Sequence, residues 1–398
     1  MDMDCDIFIS GGGVAGLTAA AAFGAAGFRV VCADPAPPVT EALAEGADLR
    51  TTAFLQPART LLEEAGIWPH LAPHATPLRI MRIVDAGGAE PEARVTRDFD
   101  SADIGPEPFG WNLPNWLLRR EILCHIDELG TVDFRPGTGF RSMLTRESEA
   151  RVVLSDGSRL RTRLVIGADG RDSPVREAAG IDARTYRYGQ KAVTCAMTHN
   201  APHDNISTEI HRTGGPFTLV PLPDHEGRPC SALVWMAPGA EVQRLIALPD
   251  AAFEAEATER SAGLYGPLSL VTRRTTWPII SRVAGRMSAE RTALMAEAAH
   301  VMPPIGAQGL NTSLADLACL LGLVRAAPEA LGTRAMLDRY HRRRHPDVLL
   351  RVQGIDALNR ASMASAPALR DLRAAGIEAL HGMAPVRRGL MRLGLGAR

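Results

Sequence analysis

The sequence predicts an α/β fold: a parallel nucleotide-type sheet, a second domain built on an antiparallel sheet, and a helical C-terminal region. Three observations carry this. Residues 6–34 read as strand, glycine turn, helix and strand, the opening of a parallel βαβ unit. From about residue 186 to 280 the pattern changes to short alternating runs divided by Gly and Pro, as in an antiparallel sheet with one covered face. After about residue 325, apolar residues recur at helical spacing to the end.

Composition narrows the function classes. The 398 residues suffice for two domains, and a formal charge of −1 gives no nucleic-acid footprint. Lys191 is the one lysine among 44 basic residues, and nothing is built on it. Six scattered cysteines without a Cys-x-x-Cys pair predict reduced, buried thiols in a cytoplasmic protein, with neither a disulfide framework nor a metal site. The N-terminus is acidic, the wrong sign for a targeting peptide, and no long apolar run predicts a membrane span.

Asp6-Ile7-Phe8-Ile9-Ser10 is the first strand, and Arg29 to Asp34 the second. Between them Gly11, Gly13 and Gly16 form G-x-G-x-x-G, with Ala15 inside the motif and Asp34 closing the second strand. In this strand–turn–helix–strand context the motif predicts a Rossmann-type dinucleotide site. Gly11 allows the tight turn, Gly13 lets a pyrophosphate reach the helix N-terminus, and Gly16 lets helix and strand pack. Asp34 would accept ribose hydroxyls. The pattern alone does not separate FAD from NAD.

Arg50 precedes a helix that ends near Gly66, and Asn115 opens another, as contact or as cap. Alternation around Asp156-Gly157 predicts a hairpin whose second strand runs through Ile166 into Gly167-Ala168-Asp169-Gly170. His341-Arg342-Arg343-Arg344-His345 reads as a solvated basic run near a helix end. In the last stretch Met383, Val386, Leu390 and Leu393 share a face, with Arg387, Arg388 and Arg392 elsewhere. That pattern predicts a frayed or docked helix and is also compatible with an anionic membrane surface.

The most informative stretch is Ala296 to Asn311. It ends an extended segment, turns through Pro303 and Pro304, and becomes the loop Gly306-Ala307-Gln308-Gly309. Leu310, Leu314, Leu317, Leu321 and Val324 then continue as an amphipathic helix. The loop therefore offers unpaired N–H groups at a positive helix end. It lacks the lysine and Ser/Thr of a Walker-type phosphate loop, and an anion or a ring that becomes anionic would fit there.

Pro-Pro-Ile-Gly-Ala-Gln-Gly-Leu-Asn resembles the flavin-ring loop of the aromatic-ring hydroxylases that use FAD and NAD(P)H, the para-hydroxybenzoate hydroxylase type. The first glycine motif and Gly-Ala-Asp-Gly stand in the family's order, so the resemblance spans nearly the whole chain. Gly214 to Pro223 with Leu233-Val234-Trp235 resembles the branch that hydroxylates prenylated phenols in ubiquinone biosynthesis. The resemblance implies FAD held by Arg50, Asn115, Asp169 and Glu297, and by Gly306, Ala307, Gln308, Gly309, Leu310 and Asn311. Further implied are Pro303 and Pro304 as a wall between flavin and substrate, and Phe217 and Trp235 in the substrate pocket. His300 is expected to be structural, and no general base is identifiable.

The implied domains are an FAD-binding part at 1–75, 105–185 and 282–345, a substrate sheet at 76–104 and 186–281, and C-terminal helices at 346–398. Partners would be a hydrophobic phenol, NAD(P)H and molecular oxygen, with peripheral membrane or quinone-synthesis complex association through the C-terminal region. One departure stands out: the family has Gly-Asp where this chain has Ala296-Glu297, and Glu297 is expected to substitute. Two rival readings stay open. A hydroxylase of a small aromatic acid should place a cation such as Arg212 in the sheet pocket. A redox-silent scaffold of a quinone-synthesis complex is suggested by Ala296-Glu297. A flavin halogenase is disfavoured because Trp-x-Trp-x-Ile is missing.

Overall fold

The computed structural model describes residues 4–88, 92–363 and 366–395. Its first sheet has six strands in the order Ser288–Ala289, Thr292–Leu294, Leu164–Gly167, Ile7–Ser10, Val30–Asp34, Val132–Pro136. All joints are parallel except the terminal hairpin. Ile7–Ser10 is central and buried throughout, which is why it reads as a continuous apolar run. The Val14–Ala25 helix is almost wholly buried, its small side chains letting it pack closely on the Asn115–Leu129 helix.

The Asp156-Gly157 turn joins Ala150–Leu154 to Arg159–Thr162 in a separate three-stranded sheet with Phe140–Thr145. The second strand therefore stops before Ile166. At Arg163 the backbone changes partner: the N–H groups of Arg163 and Leu164 donate to the Asp6 carbonyl, and Leu164–Gly167 joins the first sheet. Alternation cannot see that change of partner.

The large sheet runs His300–Val301, Thr275–Ala284, Ala183–Thr198, Arg228–Pro238, Pro216–His225, Ile206–His211, Ile80–Asp85, Val95–Asp100, with Ser269–Leu270 paired beside Ala183–Thr198. Its joints are antiparallel except Ile206–His211 against Ile80–Asp85. Two helices, Gly239–Ala247 and Asp250–Arg260, interrupt the strands. Their Val242, Leu245, Phe253 and Ala257 cover one face of the sheet and build a second core there. The other face borders a cavity. A small antiparallel sheet of Thr51–Leu55, Gly110–Pro114 and Thr76–Leu78 closes one side.

Three helices end the described chain: Arg334–Met363, Pro367–Gly382 and Ala384–Leu395. The last docks Met391 and Leu395 onto Leu55 and Phe109, while Leu390 and Leu393 stay exposed. Among the described residues no helix is long and apolar enough to cross a membrane, and all six cysteines are free thiols.

Candidate active site

A cavity of about 590 Å³ is lined by the ends of first-sheet strands, the 48–55 segment, one face of the large sheet and the 296–313 loop. At its nucleotide end the glycine turn is dictated by contact. A Cβ on Gly11, at φ +118°, would meet the Ala168 carbonyl oxygen at 2.3 Å; one on Gly16 would meet the Gly11 oxygen at 1.9 Å. Gly13, by contrast, has nothing within 4 Å of where its Cβ would sit, so the first turn of the helix is open to a ligand. Asp34 lines the cavity, and its carboxylate accepts from Gly12 N at 2.5 Å and Ala36 N at 2.9 Å, holding the turn.

Asp169 is the acceptor the site leaves open. Its Oδ2 takes Ser10 Oγ at 3.1 Å and Val175 N at 3.2 Å, while Oδ1 is buried with no partner. Burial raises its carboxyl above the ordinary range despite the opposing effects of Ser173, the Val175 N–H and Ser10. Opposite, Arg50 forks onto both oxygens of Asp48 at 2.7 Å and lies 5.3 Å over the Trp277 ring. Asn115 is not a cap: Pro114 caps the helix, and the Asn115 amide donates to Asp48 and accepts from Thr52. Burial would raise the Asp48 carboxyl, but Arg50, Asn115 and Arg119 together hold it below its usual value.

At the other end the 296–311 loop is held from outside. Ala296 sits at φ +55°, the conformation a glycine would take without strain, and Glu297 pairs with Arg171 at 3.3 Å at the cavity edge. Gly306 and Ala307 are both left-handed, and the helix starts at Gln308, earlier than its apolar pattern shows. The N–H groups of Gln308, Gly309 and Leu310 therefore open the helix at the cavity. The Asn311 side chain is spent within the protein: it accepts from Leu55 N at 2.9 Å and donates to Ala53 O and Ala307 O. Gln308 likewise donates to Gly306 O and Gly394 O and accepts from Arg351. Pro304 lines the cavity, whereas Pro303 is buried and its carbonyl takes Ile305 N–H.

His300 lines the cavity but is anchored behind it. Its Nε2 lies 2.6 Å from Asp316 Oδ2, and Asp316 Oδ1 accepts from Arg344 Nε at 2.7 Å. Arg344 is thus buried in the middle of a long helix, not part of a solvated run at a helix end. Asp347, three residues on, is a second partner, but Asp316, which draws the guanidinium inward, is 28 residues away in sequence, and that is why the basic run misleads.

The pocket assignment of Phe217 and Trp235 is corrected by the structure. Both are buried in the second core, ring centroids 5.3 Å apart, with Phe253 beyond. Side chains alternate along a strand, so their neighbours Thr218, Val220 and Val234 face the cavity. Arg212 is also outside the cavity lining, paired with Glu259. The residue that sequence reasoning missed is Asn112. Its Nδ2 donates to Pro221 O at 2.9 Å, which fixes the flip, and its cavity-lining amide leaves Oδ1 buried without a partner. Strand alternation through Gly110–Pro114, with Trp111 and Leu113 in the core, is the signal that points to it.

Residues 4–353 match the family model described as FAD binding domain. Over 404 residues the chain is 33% identical to the Ubiquinone hydroxylase UbiL of Rhodospirillum rubrum, spanning 99% of this chain and 90% of that one. The chain belongs to the FAD-dependent aromatic hydroxylases. It is also 26% identical to the 3-demethoxyubiquinol 3-hydroxylase of Escherichia coli over 395 residues, 98% of either chain. Among solved structures, p-nitrophenol 4-monooxygenase PnpA from Pseudomonas putida superposes on the whole hydroxylase with TM-score 0.81 at 20% identity, covering 100% of both chains, a likeness of fold. The site fits FAD on its own terms. Two helix N-termini open on one cavity, the approach to Gly13 is clear, and the Asp169 Oδ1 acceptor awaits a donor.

Proposed function

We propose that this hydroxylase acts on the ring of a prenylated phenol of ubiquinone biosynthesis, with NAD(P)H as reductant and molecular oxygen as co-substrate. The observation that carries this reading is the large-sheet wall of the cavity. Among the described residues its strands between Ile80 and Val234 present Ile80, Met81, Thr218, Val220, Ala232 and Val234, and the one charged side chain they add to the lining is acidic, Glu209, paired with His211. An anionic substrate finds no cation there, since Arg212 points elsewhere. A neutral phenol with an isoprenoid tail matches the wall, and Leu55, Leu78 and Phe109 continue the apolar lining toward the last helix.

FAD, when bound, would supply the chemistry of hydride acceptance and oxygen activation. Arg50 and the N-terminus of the Val14–Ala25 helix would hold its phosphates, and Asp169 would accept from it through Oδ1. The N–H groups of Gln308, Gly309 and Leu310 would stabilise negative charge on the reduced ring at no reorganisation cost. Glu297 would take the place of the family's aspartate. Pro304 stiffens the wall, and Asn112 Oδ1 would accept the substrate hydroxyl proton as a hydrogen bond, aiming the ring. The basic amphipathic last helix, with Leu390 and Leu393 outward, would rest on the membrane that carries such substrates.

Protein loaded with FAD should bleach with NADH or NADPH, recover in air, and add one oxygen to a short-chain prenylated phenol. Faster turnover of an unprenylated aromatic acid would overturn the substrate assignment. Failure to retain FAD would leave the scaffold reading.

A further inference from the structure

We propose that His70, His125 and Glu128 form a binding site for a divalent transition ion of the zinc class, apart from the flavin cavity. One ligand atom from each lies within 4.8 Å of the other two, and none of the three lines the cavity. His70 stands on the short Trp68–Leu71 helix; Glu121, His125 and Glu128 share one face of the Asn115–Leu129 helix that packs against it. His70 Nε2 is already 3.5 Å from Glu128 Oε2, and the two imidazoles are 5.2 Å apart. Tetrahedral zinc with bonds near 2.1 Å separates its ligands by about 3.4 Å, so small rotations of the accessible His70 and Glu128 side chains close the set.

The observation that an ordinary His–Glu pair does not explain is His125. It is 8% exposed, and its Nε2 meets the Ala65 carbonyl oxygen at 2.9 Å. A carbonyl only accepts, so Nε2 carries the hydrogen and the lone pair sits on Nδ1. That Nδ1 is buried with no partner. A ring whose far N–H is tied to a backbone carbonyl while the other nitrogen is free is the arrangement found in metal-ligating histidines. The pair His74 and Glu121, at 3.9 Å, flanks the set, and the site lies on the last turns of its helix, where the dipole favours a cation. Two nitrogens and one carboxylate select zinc-class ions over calcium or magnesium and leave a fourth position for water. The bound ion would staple the Trp68–His74 segment to the helix whose first turns, through Asn115 and Arg119, line the cavity.

The test uses chelator-stripped, FAD-loaded protein titrated with ZnCl2 by calorimetry and with CoCl2 by visible absorption. The expected result is one ion per chain, a cobalt spectrum without a thiolate band, and a rise in melting temperature on adding zinc. His70→Ala and Glu128→Gln, both accessible positions, should each weaken zinc binding at least about tenfold and abolish the melting shift, with flavin loading unchanged. Absence of binding at about 100 μM zinc, or wild-type affinity in either variant, would overturn the site. A thiolate band lost in Cys124→Ser would overturn it too, by moving the ion to that exposed cysteine.

Discussion

Two loops bring helix N-termini to the same cavity, and they are built in opposite ways. In the loop at residues 10–16, Gly11 and Gly16 are required by collision: the backbone of residues 168 and 11 leaves no room for a Cβ at either. In the loop at residues 303–311 a Cβ would fit. Gly309 has nothing within 4 Å, and the nearest atom to a Gly306 Cβ is Gln308 Cγ at 3.9 Å. Ala307 even occupies a left-handed conformation at φ +56°. That second loop is shaped by side chains from elsewhere: Asn311 onto the Thr51–Leu55 strand, Arg351 onto Gln308, and Asp316 with Arg344 behind His300. A chain can thus present the same device by local necessity or by distant support.

The contrast can be broken, and the largest expected effect is in the first loop. Gly16→Ala drives a methyl into the Gly11 oxygen and should cost about 3 kcal/mol or more in a urea melt, with loss of flavin. Gly309→Ala, measured the same way, should shift stability by less than about 0.5 kcal/mol; a cost like that of Gly16→Ala would erase the distinction. Next, Asp316→Asn removes the carboxylate between His300 and Arg344 and leaves a buried guanidinium to Asp347 and the Thr312 carbonyl. A loss of about 3 kcal/mol is expected, with the helix N-terminus loosened and flavin retention reduced. Asn311→Ala, which breaks three hydrogen bonds, should cost about 2 kcal/mol while leaving the 10–16 loop intact.

The segment between the loops responds to pH. The Asp48 carboxyl is held below its ordinary value, so its contribution is present above about pH 4 and is lost as pH falls through the folded value. Asp48→Asn should therefore remove on the order of 1 kcal/mol at neutral pH, discounted for the partly exposed Arg50, and flatten the acid limb of stability against pH. An unchanged acid limb would show that the pair contributes nothing. The smallest effect has the opposite sign. Ala296→Gly relieves a left-handed alanine, and should stabilise the fold by up to about 1 kcal/mol and tighten FAD in a spectroscopic titration. Weaker FAD binding in that variant would mean the Ala296 methyl makes a contact the cofactor needs.

The zones that could be read from sequence were those whose causes are near in the chain. The strand–glycine–helix unit ending at Asp34 and the Pro303–Gly309 turn entering a helix follow from residues within a few positions of one another. The misread zones share a different cause. Phe217 and Trp235 lie on strands whose two faces both carry apolar residues, so alternation does not say which face is the pocket; the helices at 239–260 decide it by covering one side. Arg344 reads as surface charge until Asp316 is placed against it.

The parallel βαβ unit, its dinucleotide chemistry, the positions of two helix N-termini behind glycine loops and a family resemblance resting on ordered motifs are all legible in the sequence. Those are matters of local sterics, periodicity and glycine placement. Packing settled that Asp169 Oδ1 and Asn112 Oδ1 are open acceptors, that among the described residues the sheet wall between Ile80 and Val234 adds no Lys or Arg to the lining, and that His70, His125 and Glu128 converge. Each of these depends on which distant groups already satisfy a side chain, and hydrogen bonding and desolvation are settled only when the elements pack.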